Sequence, residues 1–199
     1  MRSSGLPSLF TLSLVFVVTL SSVPGTLFAS ELWPITTDTL VGDFEQRIDD
    51  EHGQRLSTSR GRFALQKPRL FRWEIQAPGK QTFVSDGESL WQQDFDLETS
   101  SVDRLDHASS SPLELLMATE GALTSRFDIS RVDGVLTLVP KEEGDLFESV
   151  TLRDVENDRH EMSIIDGLQQ RIVIILTIDP TAAPAPDAFV IPESAYEAS

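Results

Sequence analysis

The chain has 199 residues, 40% of them hydrophobic, with 16 Lys and Arg against 32 Asp and Glu and a formal charge of −16. It contains no cysteine, which excludes disulfides, thiolate metal sites, iron–sulfur clusters and thiol nucleophiles. The acidic balance argues against nucleic acid as the main partner and against steady residence on an anionic bilayer, because both draw on clustered Lys and Arg.

The elements follow from local pattern. Residues 1–29 read as a secretory signal peptide: Arg2, then an apolar run from Leu9 to Leu20 (LFTLSLVFVVTL), then the breakers Ser21, Ser22, Pro24 and Gly25, with cleavage expected after Ala29. The run is shorter than the roughly 20 residues a spanning helix needs, so no stable membrane insertion is expected. Residues 30–199 are then a single domain. An exported chain without cysteine fits an envelope compartment such as the bacterial periplasm.

A weak helix is expected over Asp38–Arg47, where Leu40, Val41 and Phe44 would share a face. The pairs Phe63/Leu65 and Phe71/Trp73/Ile75 alternate as strands do, and Thr82–Val84 is β-prone. Ser85-Asp86-Gly87-Glu88 reads as a turn before Leu90–Trp91. Ser111-Pro112-Leu113-Glu114 combines an N-cap, a first-turn proline and a capping-box glutamate. Leu113, Leu116 and Met117 follow at helical spacing, Leu115 and Leu123 widen the stripe, and Gly121 is the expected stop. Asp133-Gly134 predicts a hairpin between Phe127–Val132 and Val135–Val139. Further strands are expected at Phe147–Leu152, Met162–Ile165 and Ile172–Ile178, and a short one at Phe189–Ile191. Many short strands with frequent turns describe an antiparallel sandwich or barrel carrying one or two amphipathic helices.

Catalytic signals are thin. His52, His107 and His160 lie far apart and in no metal-ligand spacing. Asp49–Gly53 reads as a solvated turn, and Ser109–Ser111 beside His107 lacks any triad pattern, since sequence neighbours do not make one. No glycine-rich phosphate loop occurs. The chain is therefore read as a non-enzyme without metal or cofactor.

Residues Gly61–Trp91 (GRFALQKPRLFRWEIQAPGKQTFVSDGESLW) carry a resemblance. The frame Phe44-x-Gln46, Gly61-x-Phe63, Lys67-Pro68-x-x-Phe71-x-Trp73, Pro78 and Val84-Ser85-Asp86-Gly87-x-x-Leu90-Trp91 resembles the LolA family of periplasmic outer-membrane lipoprotein carriers. Ser111-Pro112, the Val135–Lys141 hairpin arm and Phe189-x-x-Pro192 resemble later family segments.

The resemblance implies a half-open antiparallel β-barrel closed by an amphipathic helical lid, with a hollow that shields lipoprotein acyl chains. It implies acylated lipoproteins as cargo, an inner-membrane lipoprotein-releasing ABC transporter complex that loads it, and an outer-membrane receptor lipoprotein that unloads it. Phe63, Leu65, Phe71 and Trp73 would line the wall, and Leu113, Leu116 and Met117 the underside of the lid. Phe71 would also sit near the entrance, where loading and lid closure meet. Lys67 stands where the family usually has Arg and would latch the lid to the barrel through backbone carbonyls, with three donors but without the planar guanidinium fork. Two other readings remain open at this level: an envelope protein of the same fold that binds another lipid or apolar ligand, and an interaction domain with a filled core.

Overall fold

The computed structural model describes residues 37–105, 112–156 and 158–197. Residues 1–36, and with them the signal-peptide expectation, lie outside these. The strands are β1 (Thr39–Asp49), β2 (Arg55–Gln66), β3 (Leu70–Ala77), β4 (Gln81–Asp86), β5 (Ser89–Asp94) and β6 (Thr99–Arg104), then β7 (Phe127–Val132), β8 (Val135–Pro140), β9 (Phe147–Glu156), β10 (Arg159–Asp166) and β11 (Arg171–Ile178). The helices are α1 (Pro112–Met117) and α2 (Glu120–Arg126) between β6 and β7, and α3 (Glu193–Glu197) near the end.

All eleven strands form one antiparallel sheet in the order β6-β5-β4-β3-β2-β1-β11-β10-β9-β8-β7. The order begins at β6 and ends at β7, so the sheet is open. Buried side chains from β1–β3 and from β8–β11 nevertheless belong to one apolar cluster, together with Leu115, Leu116 and Met117 of α1 and Leu123 of α2. A sheet whose two wings meet the same helices on one face is curled around them: a half-open barrel with the helices on its concave side. Among the described residues no helix is long and apolar enough to cross a membrane.

The turn chemistry is as expected. Asp133 and Gly134 both have positive φ (49° and 78°) between β7 and β8, the geometry that joins right-twisted strands through two residues. Asp86 Oδ1 accepts from the N–H groups of Glu88 and Ser89 at 2.9 and 2.8 Å, closing the β4–β5 turn.

Three expectations are corrected. Asp38–Arg47 is not helical: β1 pairs with β2 and β11 along its length. Leu40 and Phe44 share a face in either conformation, because a spacing of four residues satisfies both the helical and the strand period. The long-range pairing with two strands decides between them. Gly121 does not stop a helix but lies inside α2; the break falls at Ala118-Thr119, where the Thr119 hydroxyl caps α2 by accepting from Ala122 N–H at 3.4 Å. Leu123 thus belongs to a second helix. Phe189–Ile191 is a turn rather than a strand. There the C-terminal segment crosses the convex face, burying Ile191 and Ala195 against Val84 and Trp91. The Ser111 cap lies outside the described residues.

Candidate functional site

Directly opposed residues of antiparallel strands share a face, so the registers define rows across the concave surface. One row runs Gly42, Phe63, Trp73, Phe83, Gln92, Ser101 from β1 to β6. The next runs Leu40, Leu65, Phe71, Ser85, Leu90. A third contains Leu176, Phe44, Gly61 and Ile75. Phe63, Leu65, Phe71 and Trp73 are all buried and all belong to the central cluster, so four of the expected wall residues meet on the concave face. Trp73 stacks on Phe44 with ring centroids 3.7 Å apart and lies 5.8 Å from Phe63.

Met117 and Leu116 meet this wall from the helix side, together with Leu115. The exposures of Leu115, Leu116 and Met117 are 2%, 1% and 5%. Three consecutive helical positions span about 200° of a helix surface. α1 thus turns more than one narrow stripe into the apolar cluster it shares with the concave wall. Leu113 lies on the backbone of α1, but its side chain is outside the described residues.

Side chains hold the chain on either side of the helices. Upstream of them, just after β6, the Arg69 guanidinium donates to the Leu105 carbonyl. At the far end Arg126, in the last turn of α2, makes a two-pronged contact with Asp145, Nε to Oδ2 at 2.8 Å and a terminal nitrogen to Oδ1 at 2.7 Å. Lys141 Nζ donates to the Thr124 carbonyl at 2.6 Å, covering one of the carbonyls a helix end leaves free. The Arg126 guanidinium and the Phe147 N–H hold the Asp145 carboxyl below the usual carboxylate range, against the opposing effect of burial.

The Lys67 backbone N–H donates to the Asp38 carbonyl at 2.8 Å, and burial pushes its ammonium pKa down, partly offset by Asp38. Among the described residues its side chain reaches no carbonyl of the helical segment. Arg69, two positions on, reaches the Leu105 carbonyl just after β6.

The wall extends beyond the expected residues. Phe44 and Leu40 were masked in the sequence by the helical reading of β1. Met162, Ile164, Ile174 and Leu176 complete the far wing; their signals were the strand expected at Met162–Ile165 and the apolar run Ile172–Ile178, whose even-numbered residues face inward. Of its outward residues, Val173 is buried and Ile175 stands between Glu45 and Glu161. Among the described residues no group of His, Asp and Glu is placed to hold a metal ion.

Comparison with known proteins agrees with this geometry. The family model "Outer membrane lipoprotein carrier protein LolA" matches residues 36–192. The chain is 35% identical over 147 residues to the outer-membrane lipoprotein carrier protein of Pseudomonas fluorescens, covering 71% of each. It is 39% identical over 138 residues to that of Chromohalobacter salexigens, covering 66% of this chain and 65% of the relative. It is 33% identical over 181 residues to that of Pseudomonas syringae, covering 85% and 86%. With a match spanning nearly the whole described barrel, the chain belongs to the LolA family of outer membrane lipoprotein carrier proteins.

Proposed function

We propose that this protein is a periplasmic carrier that shields the acyl chains of lipoproteins and ferries them across the aqueous gap between two membranes, with no chemical step. The observation that carries the reading is the apolar concave face: Phe44, Phe63, Leu65, Phe71 and Trp73 on the wall, and α1 in the space they surround. An acyl chain of about 15 methylenes costs roughly 0.8 kcal/mol per methylene to expose, on the order of 12 kcal/mol in all. Unaided transfer through water is therefore negligible, and a removable apolar plug is what a reusable shield requires. In the empty state α1 covers the wall; in the loaded state acyl chains replace it. Binding then depends on the difference between two ways of covering the same surface, which keeps affinity low enough for release.

In this reading residues 1–29 are removed on export and residues 30–199 form the carrier. Loading is by the inner-membrane lipoprotein-releasing ABC transporter complex and unloading by an outer-membrane receptor lipoprotein. α1, which carries Leu113, Leu116 and Met117, borders the cargo path, Phe71 lies at the entrance, and Lys67 and Arg69 guard the start of the helical segment. The family membership supports this assignment.

The test is native mass spectrometry of the protein purified from the envelope without detergent, after co-expression with an acylated lipoprotein. A one-to-one complex that disappears when the cargo's acylated cysteine is replaced is the expected result. An apo species alone, beside a loaded carrier from Pseudomonas run in parallel, overturns the reading in favour of another apolar ligand.

A further inference from the structure

The aromatic row on the concave face does not end in apolar residues. From Phe63 through Trp73 and Phe83 it passes to Gln92 and then Ser101 as it reaches the open edge of the sheet. A cleft of about 230 Å3 opens at that point, lined by Gln81, Phe83, Gln92, Asp94, Ser100 and Ser101 among others. Asp94 is the one charged residue of the lining, and its carboxylate is already engaged. It accepts from Gln81 Nε2 at 2.6 Å and from the N–H groups of Asp96 and Leu97 at 3.0 and 2.9 Å. The Gln92 side chain is half-buried in this lining.

A side-chain amide offers donors and an acceptor together, the complement of a peptide or ester group. Without a cation in the lining, the cleft does not suit a phosphate headgroup, which draws on Arg or Lys. We propose that this cleft is a subsite for the neutral joint of the cargo, the amide and ester groups that connect the acyl chains to the polypeptide, and that Gln92 is its principal contact with Ser101 beside it. The proposal rests on the carrier reading and adds to it a direction: the acyl chains lie along the Phe63–Trp73–Phe83 row, and the polypeptide leaves over the β5–β6 edge. The step from aromatic to amide coincides with the chemical boundary within such a cargo.

The experiment compares two probes on the mature protein: a synthetic triacylated cysteinyl peptide and a pyrene-labelled fatty acid that lacks the peptide joint. In Gln92→Leu the affinity for the lipopeptide is expected to fall about three- to tenfold, the range for losing one neutral hydrogen bond, while fatty-acid affinity and the thermal midpoint stay within error. Ser101→Ala serves as the second variant, with a smaller loss in the same direction. Unchanged lipopeptide affinity in both variants, with fatty-acid binding intact, overturns the subsite and leaves the carrier reading standing. If the wild-type protein binds neither probe, the carrier reading fails and the subsite falls with it.

Discussion

Phe44 of β1 and Trp73 of β3 stack 3.7 Å apart although a whole strand, β2, lies between them in the sheet. The residue directly opposite Phe44 on β2 is Gly61, one row from the Phe63–Trp73 pair. A Cβ at position 61 would come within 2.9 Å of the Phe44 ring and 1.7 Å of the Glu74 carbonyl oxygen. The absent side chain is what lets the two rings close over the middle strand.

Gly61→Ala is therefore expected to destabilise the protein by about 1–3 kcal/mol, as overpacking does, because the backbone oxygen cannot step aside as a side-chain tip would. Urea unfolding followed by tryptophan emission measures it. A variant within a few tenths of wild type would show that the sheet relaxes freely at this point.

The two ends of the helical segment can be separated by mutation. Arg69→Ala removes the contact to the Leu105 carbonyl and is expected to speed amide exchange in α1 and to raise uptake of an apolar dye. Lys67→Ala tests the expected latch on the same two readouts: a change at least as large assigns the latch to Lys67, and no change assigns it to Arg69.

Asp145→Asn tests the other end. Its carboxylate is largely buried and forms two charge-assisted bonds with Arg126, whose own side chain is partly solvated. Hydrogen bonds to charged groups contribute about 1.5–3 kcal/mol when well buried. With solvent screening on the arginine side, a loss of about 1–2 kcal/mol is expected at pH 7. The carboxyl pKa is depressed in the folded state, so this stabilisation is present above the unfolded value near 3.8 and is lost as pH falls below it. The difference between wild type and Asp145→Asn in urea midpoint should accordingly shrink below about pH 4.

His160 gives a second pH signature. It is buried on β10 with Nδ1 2.8 Å from Asp154 Oδ1. Burial lowers its pKa, and the neighbouring Asp154 and Asp158 only partly oppose this. Below the unfolded value of 6.5 the unfolded chain takes up a proton that the folded chain resists, so stability falls with pH there. Replacing His160 by Gln should flatten the urea midpoint between pH 7 and pH 5. An unchanged slope in the variant would assign the effect to other groups.

Most of the sheet was legible because its signals are local. Alternation at Phe63/Leu65 and Phe71/Trp73/Ile75, and the turns at Ser85–Glu88 and Asp133-Gly134, depend on residues a few positions apart. The concave face itself could be foreseen from Phe63, Leu65, Phe71 and Trp73, and the resemblance in Gly61–Trp91 pointed to its use. The polar strand β6 (TSSVDR) gave no such signal, since an edge strand with little burial needs no apolar alternation.

Three features belong to the tertiary structure alone. The state of Asp38–Arg47 was undecidable locally, because Leu40 and Phe44 fit either period, and only pairing with β2 and β11 selects a strand. The depth of α1 depends on the width of the hollow: helical spacing foretold one apolar stripe, while enclosure by the curled sheet buries three residues in succession. The bond from Arg69 to the Leu105 carbonyl depends on where β3 begins against the segment that leaves β6, a distance between residues 36 positions apart. Local pattern is enough to say which residues are apolar, where the chain turns and what family it resembles; contact between distant segments selects which of those residues meet.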